Sequence, residues 1–116
     1  MILIEHLKKR KDFIKIAHSK KKSIAKGLII QASPRKLIEK KFFIRVGFTI
    51  TKKVGNAVVR NRIRRRLRSI FKQLIIQMGM PGWDYVIIAR KAIINYSFNQ
   101  IINDMKFVIS NIHNCR

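Results

Sequence analysis

Acidic side chains are scarce in this chain: five Asp and Glu stand against 27 Lys and Arg in 116 residues. Glu5, Asp12, Glu39, Asp84 and Asp104 lie in distant segments. Metal-dependent cleavage by protein groups needs clustered carboxylates to hold one or two ions, so this pattern argues against it. The single cysteine, Cys115, excludes an internal disulfide and asks for no oxidising compartment. His6, His18 and His113 show no metal-ligand spacing, and no Ser/His/Asp arrangement accompanies them. His113 and Cys115 read as a frayed tail. Long apolar runs are also missing. The longest, Val86 to Ala89, is strand-sized and far short of the ~20 residues that span a bilayer. Met1 to Leu7 is apolar but short, and Glu5 interrupts it, so it lacks the features of a signal peptide. A cytoplasmic protein is the plain reading. A mitochondrial presequence remains the alternative, because the first residues are basic and partly apolar. No internal repeat and no low-complexity linker breaks the chain. Its length accommodates one domain, residues 1–116.

Hydrophobic residues make up 47% of the sequence, enough for a core. A chain this size buries roughly 65% of its unfolded surface. The formal net charge is +22. Self-repulsion at that level opposes compaction, and a dense polyanion relieves it. A phosphate backbone, with fixed charges at close spacing, is the natural partner. The charge-dense stretches Lys8–Lys11 and Lys20–Lys22 read as solvated loops or helix ends that extend the electrostatic footprint.

Periodicity supplies a coarse fold. Asp12 to Ala17 opens a short helix, with Phe13, Ile14 and Ala17 on one side. Leu28 to Gln31 reads as a strand closed by Ser33-Pro34. From Phe42 to Thr51, apolar residues alternate with more mixed ones at period two, the pattern of a half-buried strand. Asn56 is a good N-cap for a helix over about Ala57 to Met78. On that helix Val59, Ile63, Leu67, Ile70, Phe71, Leu74 and Met78 form a stripe that must pack on something. Pro81-Gly82 breaks the pattern, and Asp84 to Arg90 reads as an interior strand. Ser97 and Gln100 have capping-box spacing, ahead of a last amphipathic helix carrying Ile101, Ile102, Met105, Val108, Ile109 and Ile112. The order helix, strand, strand, helix, strand, helix predicts an α/β or α+β layer of helices on a small sheet.

The long helix carries the chemistry. On a wheel of about 100° per residue, Asn61, Arg64, Arg65, Arg68 and Lys72 fall opposite the apolar stripe, and Arg60, Arg62 and Arg66 flank it. Arginine offers five donors in a planar fork that matches phosphate and keeps its charge at any relevant pH. Like charges at i,i+4, such as Arg60/Arg64, weaken the helix slightly unless an anion neutralises them. No acid occurs from Lys40 to Gly82, so no nearby ion pair along the chain dilutes the field. Lys52, Lys53 and Gly55 precede the helix. Two readings of that turn stand side by side: an anion site at free amides, or an ordinary strand-to-helix connection.

The run from Arg45 to Arg68, with Lys-Lys-Val-Gly-Asn-Ala-Val-x-Arg-Asn-Arg at Lys52–Arg62 as its core, closely resembles the signature of the bacterial ribonuclease P protein component. The resemblance extends to Lys8–Phe13 and to Asp84–Arg90 and covers almost the whole chain. It implies a two-layer α/β sandwich with a mixed sheet of about four strands and a left-handed strand-helix-strand crossover. General rules would not anticipate that hand. It implies the small subunit of a ribonucleoprotein endonuclease that removes the 5′ leader of precursor tRNA. In that family the RNA subunit carries the catalysis with Mg2+, bound mainly by the RNA, and the resemblance assigns no catalytic or metal-binding residue in this chain. The partners implied are the catalytic RNA, at one protein per RNA, and precursor tRNA, with no membrane.

Two surfaces carry over from the family. Arg60, Asn61, Arg62, Arg64, Arg65 and Arg68 match the motif that docks on the catalytic RNA, with Lys52, Lys53 and Asn56 in the adjoining loop. Phe13 matches an aromatic of the cleft that holds the single-stranded leader, where it stacks on a base or packs against sugar. Ala17 and Gln31 depart from the pattern, since relatives often carry aromatics there. A ribosomal-type RNA-binding protein and an architectural DNA-binding protein share the composition, but not the motif from Lys52 to Arg68.

Overall fold

The protein is described here as a computed structural model covering residues 3–19, 21–35 and 43–113. Along the chain run β1 (Leu3–His6), α1 (Arg10–Ala17), β2 (Lys21–Ile24), β3 (Leu28–Pro34), β4 (Phe43–Thr49), α2 (Ala57–Met78), β5 (Trp83–Ala89), a 3-10 turn (Lys91–Asn95) and α3 (Phe98–His113). The five strands form one mixed sheet in the order β1-β4-β5-β3-β2. β4 runs parallel to both β1 and β5, and β3 runs antiparallel to β5 and β2.

Both long helices form where their sequence signals lie. The Asn56 side chain accepts a hydrogen bond from the Val59 amide at 3.0 Å and starts α2. Ser97 and Gln100 exchange bonds of 2.7 and 3.2 Å, a reciprocal capping box at the head of α3. Gly82 has a φ of 84° in the turn that reverses the chain into β5, a left-handed conformation suited to glycine.

The period-two alternation divides the sheet into two faces. Ile44, Val46, Tyr85, Ile87, Leu28 and Ile30 point to one side, where α2 and α3 cover them. Leu67 and Ile70 of α2 and Met105 and Val108 of α3 complete this core. Full burial of a side chain such as Leu67 contributes ~1.5–3 kcal/mol. On the other face α1 packs a smaller cluster of Leu7, Ile16 and Val86, with Phe13 and Ile88 partly buried beside it. The expected two-layer arrangement is thus the sheet with α2 and α3, and α1 adds partial cover behind.

The sheet has five strands rather than about four. β1 and β2 were not anticipated, because each has only four residues and sits at an edge. The lysine stretch expected as loop or helix end is strand instead: Lys21 and Lys22 are exposed on β2, while Ser23 is buried. Edge lysines suit this position, since they discourage pairing with another chain. Element ends also shift. α1 starts at Arg10, β3 continues to Pro34, β4 stops at Thr49 and β5 spans Trp83–Ala89. Lys20, Glu39, Phe42 and Cys115 lie outside the described residues.

Candidate nucleic-acid interface

The burial of one side of α2 dictates what its other side presents. Ile63, Leu67, Ile70, Phe71 and Ile75 are buried, so the residues half a turn away face outward. Val58, Asn61, Arg64, Arg65 and Arg68 line one open depression, and among the described residues no carboxylate lines it. Arg64 donates to the Asn61 side chain at 3.1 Å, which holds the guanidinium along the helix. Arg60 and Arg62 stand about 100° to either side of this strip by helix geometry. Lys52 and Lys53 are exposed on the turn before α2. Asn56 is engaged in capping, as is the Arg60 amide, which bonds to the Asn56 carbonyl at 2.9 Å. Some of the amides considered as an anion site are therefore occupied.

The second set of residues also converges. Arg10, Phe13, Ile14 and Ala17 recur at three- and four-residue spacing along α1. They form one wall of a shallow cleft of about 330 Å³, and Gln31, Thr49, Val86 and Ile88 of the sheet form its floor. Register explains the floor: Gly47, Val86 and Gln31 are paired across β4, β5 and β3, with Thr49, Ile88 and Ile29 in the next row. Phe13 lies directly on Gly47, where a Cβ would come within 2.4 Å of its ring. Gly47 belongs to the mixed face of the expected strand. A glycine inside a strand was the available signal of close approach.

Three of the acids, apart in sequence, are brought together around Arg45. Its Nε and Nη2 donate to the two oxygens of Asp84 at 2.9 and 2.6 Å, and Nη1 lies 3.8 Å from Asp12 on α1. Glu5 is its register partner on β1. Arg35 adds a 2.5 Å bond to Asp84, a 3.1 Å bond to the Trp83 carbonyl and another to the Phe43 carbonyl. The hydrogen bond to Asp84 is the main cause that raises the Arg45 pKa. With a guanidinium at its centre, this donor set does not fit a divalent cation. Among the described residues, no three His, Cys, Asp or Glu side chains come together to hold a metal. The cluster instead ties α1 to the sheet beside the cleft.

His113 is a correction to the frayed-tail expectation. It ends α3 with its Nε2 2.5 Å from the Tyr85 hydroxyl and its ring edge-on to Trp83, centroids 4.9 Å apart. The Tyr85 hydroxyl also accepts from the Met80 amide at 3.2 Å, and burial pushes its pKa up to about 12.

The family profile described as Ribonuclease P matches residues 4–113. The chain belongs to the ribonuclease P protein family. The ribonuclease P protein component of Ruegeria pomeroyi is 41% identical over 111 residues, spanning 95% of this chain and 87% of that one. That of Paramagnetospirillum magneticum is 42% identical over 103 residues, 88% of this chain and 77% of its own. The Staphylococcus aureus RNase P protein structure superposes with a TM-score of 0.78 at 28% identity, covering 90% of this chain and 92% of that one. As a member of this family, the chain serves the endoribonuclease of tRNA 5′-end processing. No helix among the described residues is long and apolar enough to cross a membrane.

Proposed function

We propose that the arginine face of α2 docks this subunit on the catalytic RNA of ribonuclease P, and that the cleft between α1 and the sheet holds the 5′ leader of precursor tRNA. One observation carries this reading: Asn61, Arg64, Arg65 and Arg68 share an open face that no carboxylate among the described residues lines, while Glu5, Asp12 and Asp84 gather around Arg45 instead. An unneutralised guanidinium array at fixed helical spacing is suited to phosphates. In the cleft, Phe13, Ile14 and Ile88 offer apolar surface to an unstacked base or sugar, and Arg10 offers a charge to its phosphate. Ala17 and Gln31 make this surface less aromatic than relatives with rings at those positions.

The subunit acts by binding and orientation. Two RNAs that must approach each other repel, and a chain of net charge +22 between them reduces that repulsion. Leader contacts add affinity that mature tRNA cannot match, which favours substrate over product. Hydrolysis rests with the RNA and its Mg2+, in the cytoplasm, with one protein per RNA. The test is processing of a precursor tRNA by a matched catalytic RNA at low Mg2+, with and without this protein. Stimulated release of the 5′ leader, and none from protein alone, is the expected result. Tight RNA binding without stimulation overturns the reading.

A further inference from the structure

β1 is an edge strand of the sheet among the described residues, and α2 leaves a gap over it. Ile4 and His6 of β1, Val46 and Phe48 of β4, and Arg68, Phe71 and Lys72 of α2 enclose a pocket of about 170 Å³. Register places His6 beside Val46, on the side of the sheet that α2 covers. The His6 and Phe48 rings lie 6.4 Å apart at 42°. Phe48 is braced edge-on by the buried Phe71, centroids 6.1 Å apart at 89°. One ring is thus fixed by the core, while the other sits on an exposed edge strand. Arg68 and Lys72 are exposed cations at the mouth, and among the described residues no carboxylate lines the pocket. Arg68 also lines the arginine face of α2, so the two surfaces are continuous through one side chain. Partial burial, with Arg68 and Lys8 nearby, holds the His6 pKa below its ordinary 6.5. That direction favours the neutral ring, a stacking surface rather than a further charge.

An apolar floor, an aromatic wall and a cationic mouth together are the chemistry of a nucleotide site. Base-on-ring stacking tolerates any base, and arginine matches the attached phosphate. We propose that this pocket takes a single unstacked nucleotide of the docked RNA, its base against Phe48 with His6 closing over it and its phosphate at Arg68 and Lys72. The proposal rests on the docking role assigned to α2 and adds a base-stacking element to a surface otherwise made of phosphate contacts.

The experiment is an NMR titration of the whole protein with adenosine 5′-monophosphate and, separately, with ribose 5-phosphate, which lacks the base. The His6 and Phe48 ring signals are expected to move with the nucleotide and not with the sugar phosphate. His6→Ala, at an exposed position, is expected to weaken nucleotide binding at least about fivefold, the low end of one base-stacking contact. Lys72→Gln is expected to weaken both probes alike. Equal shifts from both probes, or none at millimolar nucleotide, overturn the base site. Binding of the same proteins to the catalytic RNA separates the two readings. Tight binding by wild type and His6→Ala alike removes the pocket and leaves the docking role standing, whereas no binding by wild type removes both.

Discussion

Gly47 sits mid-strand in β4 with Phe13 on its α-carbon, and any Cβ there would meet the ring. Gly47→Ala must push Phe13 out of its place among Leu7, Val86 and Ile88. We expect a loss of about 1–3 kcal/mol in denaturant unfolding, the usual cost of overpacking. Discrimination between leader-bearing and mature tRNA should fall as well. Unaltered unfolding would mean that the ring yields without cost. His113 sets a pH dependence. Burial first, and then Lys21, lower its pKa from 6.5 in the folded chain. The unfolded chain then binds more protons just below pH 6.5, so stability is full above that pH and falls as the solution is acidified. Melting followed from pH 7.5 to 5 should decline for wild type and decline less for His113→Phe; parallel declines would assign the acid sensitivity elsewhere. Of the cleft lining, Phe13 was named from its match to the family pattern, and Ala17 and Gln31 from their departure from it. Arg35 and Arg45 were not, because only strand register brings them onto Asp84.

At the scale of elements, α2 was legible almost to the residue, from Ala57 to Met78. A long apolar stripe, a capping asparagine and a Pro-Gly stop all agree there, and such agreement across levels specifies an element. β1 and β2 carry four residues each, too few for alternation to stand out, and both take their structure from a neighbouring strand. The cap also gives Asn56 a role apart from RNA. Asn56→Ala should cost about 1 kcal/mol of stability, read by thermal unfolding. It should leave the salt dependence of RNA binding unchanged. Undiminished stability with weakened RNA binding would make Asn56 a direct contact instead.

Across the whole molecule, the few acids and the many cations are sorted in space. Glu5, Asp12 and Asp84 surround Arg45 and fasten α1 to the sheet. The α2 face keeps its charge open. Composition gives the sum of +22, but not this sorting, since segments far apart in sequence meet only once the sheet is ordered. The uncompensated face of α2 is the central claim, and the salt dependence of binding to the catalytic RNA tests it most directly. Each phosphate contact contributes roughly 0.7–0.9 to the slope of log affinity against log salt. Replacing Arg64, Arg65 and Arg68 together with Ala should reduce that slope by about two units and weaken binding most at low salt. A slope equal to that of the wild type would mean that this face is merely solvated and that the protein meets its RNA elsewhere.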